Sequence, residues 1–349
     1  MGALAGAGRK VLSRVESRGL VAEMTALHTP ICDLFGCDYP VMLAGMGGPS
    51  RSELVAAVTE AGGFGFLGMV RESPRRIQTE IERVRARTAR NFGVNIIPAA
   101  TPPEVLKAEL ETILALKPFA VALFWDVARD VIKRLRDAGI FVVHQVGSSE
   151  EAREAQDAGA QALIAQGIEA GGHVRATKPL LETLDDVLAA ASVPVLASGG
   201  LANGKDVAAV LKRGAQGAVL GTAFLATKES FAHDYHKQRI VDAREDQTVH
   251  TQAFHINWPE GAYVRVIENS VTSGAHGDPF DGRREVIGQE KSRPIYLFST
   301  DSPLRNMSGD YEAMALYAGK GSAAINDIVP AAERLRRIVS EAERALAGQ

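Results

Sequence analysis

From Pro40 onward, short apolar runs alternate with longer segments of helical period, and the alternation repeats eight times. The runs are VMLAG (from Val41), FGFLG (from Phe64), FGVNII (from Phe92), AVALFW (from Ala120), FVVHQV (from Phe141), ALIAQG (from Ala162), VPVLAS (from Val193) and GAVLGT (from Gly217). Each is almost continuously apolar, as a parallel strand covered on both faces must be. Between them lie segments such as SRSELVAAVTEAG, TPPEVLKAELETILALK and SSEEAREAQDAGA, several opening on a Ser or Thr cap followed by acids. Eight strand–helix units match a closed barrel better than an open doubly wound sheet of five or six strands. The expected fold class is therefore α/β, a (β/α)8 TIM barrel. A leucine-rich solenoid has a similar period, but these segments share no internal consensus.

After Thr222 the alternation stops. The stretch from about Lys228 to Gly309, with its histidines, Trp258, Pro259 and turn-rich TSGAHGDPFDGRRE, reads as an inserted subdomain or lid. The expected organisation is an N-terminal arm at 1–29, the barrel at 30–227, the lid at 228–309 and C-terminal helices at 310–349 packing back on the barrel. Basic residues interrupt every apolar run of the arm before a signal-peptide core can form, and Met24 stands as an alternative start.

The chain has 349 residues, 46% hydrophobic and 23% charged, ordinary for one large domain with a smaller addition. A net charge of −3 gives no broad positive field to draw nucleic acid or anionic lipid, so neither is an expected partner. No apolar run approaches the roughly 20 residues that cross a bilayer. The only cysteines, Cys32 and Cys37, are too few for the usual structural zinc cluster, and a reducing, cytoplasmic setting fits them.

Barrel enzymes place their chemistry on the loops after the strands. The seventh run ends in SGGLANG (Ser198 to Gly204) and the eighth in LGTAFLA (Leu220 to Ala226), where glycine amides, the following helix and the Thr222 hydroxyl can cradle a phosphate. Tight turning alone is the plainer reading of Gly199, Gly200 and Gly221. The sixth run leads into QGIEAGGHVRATKP, which gathers Gln166, Glu169 and His173 around three glycines. A histidine after Gly-Gly, with an intrinsic pKa near about 6.5, can take or give a proton at neutral pH.

AGMGG after the first run, FGVNI at the third, QGIEAGGH, SGGLANG and GTAFLA together resemble the nitronate monooxygenase family, formerly 2-nitropropane dioxygenases, over about Pro40 to Ala226. A weaker echo is YAGKG (Tyr317 to Gly321). Flavin-dependent enoyl-acyl-carrier-protein reductases share the signature. The resemblance implies FMN as cofactor. It implies that Ala44, Gly45 and Met46 border the isoalloxazine, that Asn95 hydrogen-bonds the flavin and that Gln166 faces the ring or ribityl chain. It also implies that Gly171 and Gly172 let ring or substrate approach, that Ser198, Gly199, Gly200, Gly221 and Thr222 surround the phosphate, and that His173 is catalytic. The activity it implies is oxidation of alkyl nitronates with O2 to a carbonyl compound and nitrite. An NAD(P)H-dependent reductase of enoyl thioesters and a non-catalytic barrel holding flavin or another phosphate ligand are the alternatives. Gly45, Leu43 and Lys320 depart from the family's common Pro, Gln and Gln, which bears on the substrate and not on the flavin.

Other conspicuous residues carry plainer readings. His233 and His236 fall three apart, but no carboxylate completes a metal site, so no metal is expected and a solvated helix face is the simpler reading. His144 sits in an apolar run and reads as a barrel residue. Trp125 and Asp126 either shape the mouth or cap the next helix. Trp258 and Tyr263 either cover the flavin or pack the subdomain. Assembly into a homo-oligomer through the terminal helices has no specific motif behind it.

Overall fold

The computed structural model describes residues 27–348. Residues 1–26 of the expected arm, and with them the alternative start at Met24, lie outside that range.

All eight apolar runs form strands of one closed parallel barrel. The strands are β1 (Val41–Leu43), β2 (Phe64–Gly68), β3 (Gly93–Ile96), β4 (Ala120–Leu123), β5 (Phe141–Val146), β6 (Ala162–Gln166), β8 (Val195–Ser198) and β9 (Gly217–Leu220), with a short β7 (Gly172–Val174) standing apart from the barrel. Closure is direct, with Val41, Met42 and Leu43 of β1 beside Ala218, Val219 and Leu220 of β9. Side chains along each strand alternate between two cores, as the two-residue strand period requires. Met42, Phe64, Phe66, Ala122, Ile164, Leu196 and Val219 fill the barrel interior. Val41, Leu67, Val94, Val121, Leu163 and Leu220 meet the surrounding helices.

The interior is closed from below by aromatic rings. The helix Pro30–Phe35 ends at Gly36, whose φ of 69° is the left-handed turn that favours glycine. It delivers Phe35 beneath the barrel, stacked on Phe64 at 4.6 Å and edge-on to Phe119 and Phe141 at 5.7 and 5.4 Å. Phe66 fills the next level so fully that a Cβ on Gly93 would lie 2.3 Å from its ring.

The segment after the barrel builds two small sheets. β10 (Thr248–Thr251) pairs with β11 (Tyr263–Ile267), and β11 pairs in turn with β7, the strand formed by the loop after β6. β12 (Val286–Glu290) lies between β13 (Arg293–Tyr296) and β14 (Met307–Gly309). The C-terminal part contains one α-helix, Ala331–Leu346, and not the several helices expected of 310–349. Gly319, Gly321 and Pro330 interrupt the chain, which forms only 3-10 turns at Tyr311–Ala313 and Lys320–Ala324. The final helix packs on Gly204–Lys212, where a Cβ on Gly204 would lie 2.3 Å from the Ala342 nitrogen. Among the described residues no helix is long and apolar enough to cross a membrane.

Replacing Phe64 by alanine should cost about 3–5 kcal/mol, because it opens a cavity where the floor and interior aromatics meet. A lowered urea midpoint would register it, and an unchanged midpoint would show that this cluster does not support the barrel.

Candidate active site

A cavity of about 620 Å³ opens at the C-terminal ends of the barrel strands, beneath the added sheets. It falls in the range of ligand sites, roughly 300–1,000 Å³. Ala44, Gly45, Met46, Asn95, Gln166, Gly171, Gly172, His173, Ser198, Gly199, Gly200, Gly221 and Thr222 all line it. Residues drawn from five strand ends therefore share one wall.

Glycine makes this convergence possible. Gly199 and Gly200 have φ of 119° and 72°, so the chain turns sharply after β8 in a conformation that costs other residues energy. Elsewhere the need is for space. A Cβ on Gly45 would lie 2.3 Å from that of Asn95, one on Gly171 2.4 Å from the Gly319 nitrogen, and one on Gly321 2.3 Å from the Gly200 oxygen. The YAGKG segment thus lies backbone to backbone on the loops after β6 and β8. Gly319 N–H donates to Thr222 Oγ1 at 3.0 Å, and Lys320 N–H to the Glu169 carbonyl at the same distance. At Gly221 the nearest atom to an added Cβ is Met46 Sδ at 3.5 Å, so that position faces open cavity.

His173 lies in the middle of β7, opposite Val264 of β11. Gln166 holds the same loop: its Nε2 donates to the His173 carbonyl and its Oε1 accepts from Arg175 N–H, both at 2.9 Å. Both ends of this amide hold the loop, and the side chain also lines the cavity. The His173 ring stacks on Trp258, with centroids 3.3 Å apart, and lies 5.5 Å from Tyr317. One side of the ring is open to the cavity, but Nε2 is shielded and has no partner. Burial, reinforced by the Arg71 guanidinium, pushes the His173 pKa down to about 3. The neutral-range proton carrier expected from sequence is thus held as a neutral imidazole, because no acid faces it to stabilise the cation.

Three residues around this wall have backbones in the left-handed region, Arg71 (φ 60°), Trp125 (φ 79°) and Asn257 (φ 71°). Such conformations persist where surrounding contacts over-determine them. Arg71 Nη1 donates to the Asn257 carbonyl at 2.6 Å, tying the loop after β2 to the residue before Trp258. Trp125 backs Trp258 edge-on at 5.4 Å without lining the cavity, and Asp126 faces Arg175 at 3.4 Å instead of capping a helix. Trp258 therefore lines the site, while Tyr263 stacks outside on His250. Arg71 is the residue that sequence reasoning missed, since one arginine in a polar turn has no motif to mark it. His236 is also corrected: it is buried, not solvated, with Nε2 donating to the Tyr317 carbonyl at 3.0 Å, while His233 caps the helix Asp234–Val241.

Two imidazoles buried in neutral form set an acid limit. His173 and His236 have folded-state pKa values of about 3 and 4, against about 6.5 unfolded. Below pH 6.5 the unfolded chain binds protons that the folded chain refuses, so stability falls from there toward pH 3. Glu109 acts in the opposite sense: burial raises its carboxyl to about 8, so its stabilising share is lost as pH rises from about 4.5 through 8. The urea midpoint should drop between pH 6.5 and 4, and less steeply in His173→Asn; parallel curves would show that His173 titrates normally.

The chain matches the nitronate monooxygenase family profile over residues 28–113 and 100–341. It is 30% identical over 346 residues to the (3aS,4S,5R,7aS)-5-hydroxy-7a-methyl-1-oxo-octahydro-1H-indene-4-carboxyl-CoA dehydrogenase of Mycobacterium tuberculosis, covering 90% of this chain and 96% of that protein. It is 29% identical over 280 residues to a probable nitronate monooxygenase of Staphylococcus aureus, covering 68% and 79%. Among solved structures it resembles FabK of Thermotoga maritima (TM-score 0.79, 27% identity, 92% of this chain and 98% of that one). It also resembles the nitroalkane oxidase of Streptomyces ansochromogenes (TM-score 0.74, 31% identity, 91% and 99%). With that span matched, the chain belongs to the nitronate monooxygenase family and is a flavin-dependent oxidoreductase whose cofactor is FMN.

Proposed function

We propose that this chain is a nitronate monooxygenase, converting an alkyl nitronate and O2 to a carbonyl compound and nitrite. The observation that carries the reading is His173, a neutral imidazole with an unpartnered Nε2, set between an aromatic wall and the charge of Arg71. A group with so low a pKa is a weak base, poorly suited to removing a proton from a neutral nitroalkane. A nitronate has already lost that proton. It is a small anion with an apolar tail, and the wall offers it a guanidinium charge, a hydrogen-bonding imidazole and the faces of Trp258 and Tyr317.

The residues present fit FMN. The glycines after β8 and β9, with Ser198 and Thr222, would hold the phosphate through backbone amides and hydroxyls, and the open space at Gly221 leaves room for it. Ala44, Gly45, Met46 and Asn95 would border the ring; Asn95 Nδ2 already donates to the Ala122 carbonyl at 3.1 Å, which leaves its oxygen to accept from the cofactor. Gly171 and Gly172, which carry no side chain, would let the ring approach the loop backbone, while Gln166 holds that loop in place. When bound, FMN supplies the electron-accepting chemistry and the reaction with O2. His173 would orient the substrate by donating its ring N–H to a nitronate oxygen, and Trp258 with Tyr317 would exclude water from it.

A second reading, oxidoreduction of a coenzyme A thioester, draws on the M. tuberculosis relative, whose match covers more of this chain than that of the S. aureus protein.

Anaerobic titration separates the two. Preformed nitronate should bleach the flavin, the parent nitroalkane should do so far more slowly, and nicotinamide should have little effect. Bleaching by NADH or NADPH with none by nitronate would overturn the first reading in favour of the second. His173→Asn should retain FMN while kcat/KM for nitronate falls by about two orders of magnitude; unchanged turnover would remove His173 from the mechanism.

A further inference from the structure

The cavity extends past the strand ends to the seam between barrel and lid, where Arg51, Glu72, Glu290 and Arg293 line it. Arg51 is the group this seam leaves unsatisfied. It is 5% exposed. Its Nε donates to the Gly48 carbonyl at 3.1 Å, and its guanidinium lies over the Phe231 ring at 4.4 Å. Nη2 stands 3.7 Å from Glu72, and Nη1 is buried with no partner.

A guanidinium does not lose its proton in a protein, so its burial must be compensated by an anion or by acceptors. The nearby acids are engaged elsewhere. Glu80 accepts from Ser52 N–H at 2.9 Å and faces Arg76 and Arg83. Glu290 accepts from Asn306 and Arg293 at 2.8 and 3.0 Å. Glu72 is shared between Arg51 and Arg76 at 3.7 and 3.8 Å, beyond hydrogen-bond reach of either. Burial also raises the Glu72 carboxyl, which weakens it further as a counter-ion.

We propose that Arg51 forms an anion subsite at the seam, taking a carboxylate or phosphate that the substrate or a coenzyme carries at the end remote from the reacting atoms. The inference goes beyond the nitronate reading, because it concerns binding and needs no turnover. The subsite follows β1, whereas the glycine turns suited to the FMN phosphate follow β8 and β9. Phe231 is part of the segment that follows the barrel, so an anion at Nη1 would be held where the two parts of the fold meet.

The test is calorimetric titration of the FMN-loaded protein, in chloride-free buffer, with inorganic phosphate and separately with acetate. Loading FMN fills the glycine cradle, so added anion reports the second site. The wild type should bind at least one anion, and Arg51→Met should weaken that binding by about tenfold or more, the usual share of a charged hydrogen bond. Preference for phosphate assigns the subsite to a phosphorylated coenzyme, and preference for acetate to a substrate carboxylate. Arg51→Lys, which keeps the charge but loses the fork, should give an intermediate loss and carries the comparison alone if Arg51→Met fails to fold. No anion binding by the wild type, or equal binding by wild type and the variants, would overturn the proposal. So would phosphate binding seen only without FMN, which would place Arg51 in the cofactor's own site.

Discussion

The antiparallel pairing of β7 with β11 is the interaction on which the site depends. It converts the loop after the sixth barrel strand into the edge of a three-stranded sheet, so that His173 belongs to the barrel by sequence and to the added sheet by hydrogen bonding. Gln166 fixes the loop from the barrel side and β11 fixes it from the other. Arg265, opposite Gly172 in this pairing, also donates through Nε and Nη2 to the Ile168 carbonyl, at 3.1 and 2.9 Å. A histidine so held has little freedom to adapt, although its Gly-Gly approach suggests the opposite.

The barrel was legible because its rules are local. A strand buried on both faces must be apolar along its length, and Val41–Leu43, Phe64–Gly68 and Gly217–Leu220 are so without exception. The sheets added after the barrel were not legible in the same way. Neither β10 nor β12 has a fully buried position, so neither gives an apolar run to read. β7 is three residues long, two of them partly exposed, and exists as a strand only because β11 supplies a partner more than 85 positions later in the chain.

The site divides along the same line. Glycines were legible because each answers a steric demand, a positive φ at Gly199 and Gly200 or backbone contact at Gly171 and Gly321. The residues that set the electrostatics were not. Arg51 and Arg71 are single arginines in polar loops, and their importance lies in what surrounds them after folding. The pKa of His173 is likewise a property of its surroundings, since Trp258 removes water from the ring and Arg71 adds a like charge.

These surroundings give the cavity wall one electrostatic logic. Protonating His173 would place a second cation near Arg71 beside an aromatic wall, with no carboxylate facing it to offset the charge. A bound anion changes that balance: negative charge beside both groups offsets the guanidinium and makes an imidazolium less costly. The proton affinity of His173 should therefore rise on anion binding and fall on release, which couples any proton it carries to occupancy of the site. Arg71 links that charge to the segment after the barrel, because the same guanidinium holds the Asn257 carbonyl and so the position of Trp258 over the ring. One side chain thus biases the imidazole toward neutrality and holds the aromatic cover that keeps water from restoring its charge.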